Sequence, residues 1–96
     1  MRKSNTQPLK NVIREYIDAL GHRRKLSEIN ILASWEKIMG KPISKHTKSL
    51  YIRKKVLYVK LDSSVLRNEL VMRRTEILHL LNKHAQDNII EKIVFQ

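Results

Sequence analysis

Cysteine is absent from this 96-residue chain, which excludes disulfides, thiolate metal sites and thiol chemistry. Glycine is nearly absent: Gly21 and Gly40 are the only two, and no phosphate-cradling glycine loop can be built from them. Aromatic residues make up 5% of the chain, so aliphatic side chains must carry the core. No stretch approaches the roughly 20 apolar residues of a membrane span, and the start lacks the apolar run of a signal peptide. Acidic residues are missing altogether from positions 41–60. These absences lead us to expect a soluble, cytoplasmic protein with no membrane attachment, no cofactor and no small-molecule substrate.

What is present is positive charge, unevenly spread. The formal net charge is +11. Residues 1–25 carry +5, residues 26–40 carry −1, residues 41–60 carry +7 and residues 61–96 balance. An excess gathered in two segments favours a polyanion, nucleic acid ahead of an anionic membrane. The plainer reading is a solvated surface that aids solubility. An apolar share of 42% is enough for one small folded domain.

The stretch Val56–Leu70 organises the rest. Val56–Leu61 has the β-branched, aromatic and aliphatic residues of a strand, with Leu57, Val59 and Leu61 on one face. Asp62, Ser63 and Ser64 then offer side-chain oxygens for a helix start, and Leu66 and Leu70 follow at helical spacing. That third helix runs to about His84, with a bend or break expected where Arg73 and Arg74 interrupt its buried side.

Upstream, Met1–Gln7 reads as a polar, flexible N-terminus, and residues 8–96 as a single domain. Leu9, Val12, Ile13, Tyr16, Ile17 and Leu20 form a strong amphipathic stripe beginning at Pro8 and ending at Gly21. A basic connector, His22–Lys25, leads to a second helix over about Ser27–Met39, closed by Gly40 and Pro42. Trp35 on that helix reads as a core residue, with a partner-binding surface as the alternative. Ile43–Thr47 is ambiguous between loop and one helical turn. Asn82–Asn88 is polar and turn-like. Ile89–Phe95 is β-rich and reads as the last strand, but both its faces carry aliphatics, so periodicity does not orient it. The order α-α-β-β-α-β predicts an α+β fold, a three-stranded sheet with helices packed mainly on one face.

Leu50–Arg53 and Val56–Leu61 are expected to pair as an antiparallel hairpin turning at Lys54-Lys55. In that register residue 52 faces 57, 51 faces 58 and 50 faces 59. Leu50, Ile52, Leu57, Val59 and Leu61 then share one face, and Tyr51, Arg53, Val56, Tyr58 and Lys60 the other; a one-residue slip would mix them. The turn pair itself lacks the Asn or Gly that positive φ favours, so a longer loop or a bulge stays open. The hairpin carries the candidate nucleic-acid site. Arg53, Lys54, Lys55 and Lys60 would neutralise phosphates, Tyr51 and Tyr58 would stack on unpaired bases, and Lys41, Lys45 and Lys48 would extend the basic track. That combination favours single-stranded DNA. The competing reading is that the tyrosines serve the hairpin as a cross-strand pair, or that helix one covers them. Arg67, Arg73 and Arg74 each have an acid nearby in sequence and are weaker candidates.

Catalytic patterns are lacking. His22, His46, His79 and His84 have no partner at ligand spacing, and Glu76 with His79 reads as a surface pair. No serine sits in a nucleophile elbow, and the acids are scattered. The expectation is a protein that is not an enzyme and binds no metal.

The order of residues resembles the DciA family of bacterial replication proteins. The resemblance rests on Trp35, Ile38-Met39, Gly40, Ile43 and His46-Thr47, then Leu57-Tyr58-Val59, Ser63-Ser64, Glu69-Leu70, Asn82, and the closing Ile93-Val94-Phe95, over roughly residues 9–96. It implies a KH-like domain, DNA binding, and a role in assisting or loading the DnaB-type replicative helicase. The chain departs from the family pattern at the hairpin tip, where Arg53-Lys54-Lys55 stands in place of a glycine turn. Longer members also carry a flexible C-terminal extension implicated in helicase contact, which this sequence does not show. The Gly-x-x-Gly loop of true KH modules is absent, so RNA clamping of that type is not implied. The alternatives kept beside the leading reading are a protein-interaction adaptor with a basic surface and an RNA-binding KH-like module.

Overall fold

Ser63 marks the point where the chain changes from strand to helix. Its backbone is extended, and its Oγ accepts a hydrogen bond from Leu66 N at 3.2 Å. This supplies a partner to one of the free N–H groups of the helix start. The strand before it, β2 (Val56–Leu61), is central in a three-stranded sheet of order β1-β2-β3. β1 (Thr47–Arg53) pairs with it antiparallel and β3 (Lys92–Phe95) parallel. The structure is a computed structural model and describes residues 3–96, with side chains from Pro8 onward. The flexible start expected over Met1–Gln7 therefore falls partly outside the described residues.

The hairpin register is the expected one, with Ile52 opposite Leu57, Tyr51 opposite Tyr58 and Leu50 opposite Val59. A bulge between Thr47 and Ser49 ends the regular pairing. Parallel pairing of β3 sets Leu57 beside Ile93 and Val59 beside Phe95. This orients the strand that periodicity left undecided: Leu57, Val59, Leu61, Ile93 and Phe95 are buried together on the inner face.

Helices α4 (Ser64–Met72) and α5 (Arg74–Ala85) cover that face with Leu70, Ile77 and Leu81. They are separated by a break at Arg73, where the cationic side chain interrupts the buried stripe. Gln86, at φ 60°, closes α5 in the left-handed region. Ile89 and Ile90, expected within the last strand, instead form a buried loop before it. Asn82 holds that loop: its Oδ1 accepts from the N–H groups of Ile89 (3.0 Å) and Ile90 (2.9 Å), and its Nδ2 donates to Ile90 O (2.8 Å). Buried backbone that is not in a ladder needs such partners.

The N-terminal third departs from expectation. One continuous helix, α1, spans Lys3–Ala33, where two helices split at Gly21 were expected. The supposed connector His22–Lys25 lies within it. Gly21 does not end the helix, because nothing packs near that position to stabilise an alternative path. Without tertiary contacts the default is to continue the hydrogen-bond ladder, at a cost of about 1 kcal/mol for a glycine relative to alanine. Only the far end joins the core, through Ile31 and Leu32 against α5 and β1. The expected stripe from Leu9 to Leu20 is not covered by the sheet or by any other described element; all six residues are exposed. The molecule is consequently 67 Å long and about 20 Å across, with a radius of gyration of 18.2 Å. A compact chain of this length would have roughly 12–13 Å.

Two short helices complete the fold. α2 (Trp35–Met39) and α3 (Lys41–Lys45) meet at Gly40, whose φ of 94° is a conformation that side chains strain to adopt. Trp35 is buried core, as its sequence context suggested. Its indole Nε1 donates to Thr47 Oγ1 at 3.1 Å, and that hydroxyl donates to Ile43 O at 2.7 Å. The ambiguous segment Ile43–Thr47 thus ends α3 and begins β1. The result is an α+β fold with a three-stranded mixed sheet, consistent with KH-like topology. Among the described residues, no helix is long and apolar enough to cross a membrane.

Candidate nucleic-acid interface

The hairpin turns through Lys54 and Lys55 alone, with φ of 51° and 66°. Both lie in the left-handed region, as a two-residue turn that follows the strand twist requires. Lysine is a poor residue there, since a Cβ in that conformation costs about 1–2 kcal/mol. The register nevertheless holds, because the inner-face aliphatics on both strands fix it. The tip is therefore a strained, basic turn. Lys55 is tied down: its Nζ lies 3.6 Å from Glu91 Oε2, and its carbonyl accepts from Glu91 N at 2.8 Å. Lys54 makes no ion pair among the described residues, and Arg53 beside it is exposed.

Tyr51 and Tyr58, cross-strand partners, stack with ring centroids 4.8 Å apart and planes at 14°. The pairing reading is therefore realised. Coverage by helix one is not: Tyr51 is exposed and Tyr58 half-buried on the outer face of the sheet, and each stacked ring keeps one face unpaired by the other. Parallel pairing of β3 brings Lys92 beside Val56 and Val94 beside Tyr58. Lys92 thus joins Arg53 on the outer face. It was not identified from sequence because β3 could not be oriented; only the pairing partner of each β3 residue decides which way it points.

The remaining candidates do not form one cluster with the tip. Lys60 lies on the outer face, opposite Ser49. Lys48 sits in the bulge, its Nζ 3.3 Å from Asp62 Oδ2. On the other oxygen of Asp62, His46 Nδ1–H donates at 2.7 Å. That hydrogen bond, followed by the contact with Lys48, holds the Asp62 carboxyl below its ordinary value of 3.8. Lys41 and Lys45 lie on α3, at the opposite end of β1 from the tip, roughly 20 Å away at the rise of a strand. Arg73 lies 4.0 Å from Glu69 at the α4–α5 break, on the helical side of the sheet.

The arrangement thus has a cationic tip, a tyrosine step on an uncovered sheet face, and a lysine at either end of the strands. Such a surface can contact a phosphate chain and present an aromatic face to a base. A family model described as "Dna[CI] antecedent, DciA" matches residues 8–95. A UPF0232 protein of Corynebacterium glutamicum (strain R) is 25% identical over 87 residues, covering 91% of this chain. The chain spans about half (49%) of the length of that curated relative.

Proposed function

The chain belongs to the DciA family, and on that footing we propose that it is a non-enzymatic nucleic-acid-binding accessory protein of DNA replication that assists or loads a DnaB-type helicase. Family membership supports the replication-associated accessory role. The observation that carries the DNA-binding part is the hairpin tip, where two lysines occupy left-handed backbone that asparagine or glycine would adopt with less strain. A turn whose only task was to reverse the chain would have no use for that strain; Lys54, exposed at the tip and without an ion pair among the described residues, gives it one. DNA would run across the outer face from Arg53, Lys54 and Lys92 towards Lys60, with Tyr51 offering its exposed ring to an unpaired base.

The test is fluorescence anisotropy with labelled single-stranded and duplex DNA across a salt series. Binding should weaken as salt rises. Arg53→Glu with Lys54→Glu should weaken it for every sequence, and the slope of log affinity against log salt should shrink by about one for each phosphate no longer neutralised. Tyr51→Ala should reduce single-strand affinity more than duplex affinity, since only unpaired bases can stack on it. A salt slope unchanged by the charge reversal would remove the hairpin from the interface. For the helicase, co-precipitation with and without nuclease separates direct contact from a DNA bridge; loss of DNA binding with retained helicase capture would replace this reading with the adaptor reading.

A further inference from the structure

Two apolar surfaces of this molecule lack partners among the described residues, and they are on different parts of it. The first is the α1 stripe. Leu9, Val12, Ile13, Tyr16, Ile17 and Leu20 are each between 42% and 66% exposed, and contiguous apolar patches of several hundred Å² are uncommon on soluble monomers. The second is a groove of about 1160 Å³ on the helical side of the fold, between α2–α3 and α4–α5. Its apolar lining includes Ile38, Met39, Ile43, Leu66, Ile77 and Leu80. Leu80 itself is exposed. No described residue of α1 lines the groove, so it is open to an incoming helix.

We propose that the stripe of one molecule docks in the groove of a second copy of this chain, reciprocally, to give a two-fold dimer that exchanges its N-terminal helices. Three observations select this occupant. The stripe cannot reach its own groove, because α1 is unbroken from Lys3 to Ala33 and Tyr16 lies 15 residues before the buried anchor Ile31, roughly 22 Å along the axis. The areas match a stable assembly. The six side chains expose on the order of 600 Å² per helix, so two reciprocal contacts, with the groove walls counted, exceed the roughly 1,200 Å² at which specific interfaces begin. The charges are also compatible. The groove rim holds three acids, Glu69, Glu76 and Asp87, against two bases, Arg73 and Lys83, on a chain whose net charge is +11. The docking segment carries Lys10 and Arg14 against Glu15 and Asp18, neutral overall, and so meets no net repulsion there. Helix-in-groove docking and exchange of an identical element between protomers are both recurrent solutions to this geometry.

The absence of cysteine makes a crosslinking test clean. Chains carrying Ile13→Cys and Leu80→Cys, both at exposed positions, are mixed and oxidised, while light scattering gives the mass of the unaltered protein at up to about 100 μM, where an interface of this size should persist. The expected result is a dimer that yields an Ile13→Cys to Leu80→Cys crosslink between chains. Ile13→Glu alone and Leu80→Glu alone should each be folded monomers by circular dichroism, and mixing the two should restore a weaker dimer through the one contact that joins two unaltered surfaces. A monomer at every concentration overturns the proposal. So does a dimer in which Ile13→Cys crosslinks to itself and Leu80→Glu has no effect, which would mean stripe against stripe. An Ile13→Cys/Leu80→Cys double variant that closes within a monomer would mean that α1 folds back on its own groove, and also overturns it.

Discussion

Lys54 and Lys55 show how a single residue pair can be decided against its own preference. The inner-face aliphatics fix the register, the register demands a two-residue turn, and the turn demands positive φ from whatever occupies it. Replacing the pair with Lys54→Asn and Lys55→Gly should therefore stabilise the protein by about 1–2 kcal/mol in urea unfolding, while lowering affinity for DNA. Asn82 is the opposite case, a polar side chain on which a buried loop depends. Asn82→Ala would leave two buried N–H groups without acceptors and should cost about 3 kcal/mol, measured the same way. Asp62 supplies the acid-sensitive contact. Its carboxyl is held below 3.8 by His46 and then Lys48, so its contribution is fully present above that value and is lost as pH falls through the lowered one. Asp62→Asn should flatten the acid limb of a stability-against-pH curve by lowering its neutral region towards the acid value, with the stability at low pH little changed.

At the scale of elements, α1 and the α4–α5 pair answer the same question differently. In α4–α5 a break occurs where Arg73 interrupts a buried face, because a straight helix would carry that cation into the core. In α1, Gly21 interrupts nothing that is packed, and the helix continues. A methyl group at Gly21 would meet nothing within 4 Å beyond the adjoining backbone of its own helix, so Gly21→Ala should raise helicity and stabilise α1 by about 1 kcal/mol. If α1 instead hinged at this glycine in solution, the same substitution would disturb the fold and lower the melting temperature; calorimetry with circular dichroism distinguishes the two.

For the whole molecule, the two positive segments of the sequence are held apart. The +7 segment forms α3 and the hairpin, and the described part of the +5 segment lies along α1, which projects from the core. The positive potential thus extends along a 67 Å body rather than over one side of a sphere. The groove with its three acids lies on the helical side, away from the outer sheet face. DNA binding through the outer face and helix exchange through the groove would therefore not compete for the same surface. Ile13→Glu, which should abolish the dimer, is expected to leave the affinity of each protomer for a short single strand within about two-fold, since one phosphate contact at most is altered.

The sequence alone determined the hairpin, its register, a helix cap within Asp62–Ser64, the break near Arg73, the buried Trp35 and the sites of positive charge. Each is local, set by alternation, by capping chemistry or by a cation in an apolar stripe, and local patterns act over a few residues wherever they occur. Tertiary structure decided the rest. The direction in which Lys92 points follows from the parallel partner of β3. The tie from Asn82 to Ile89 and Ile90 needs a loop brought back across α5. The fate of the α1 stripe depends on whether anything lies within reach to cover it, and a periodic pattern can declare that a face is apolar but not what it will meet.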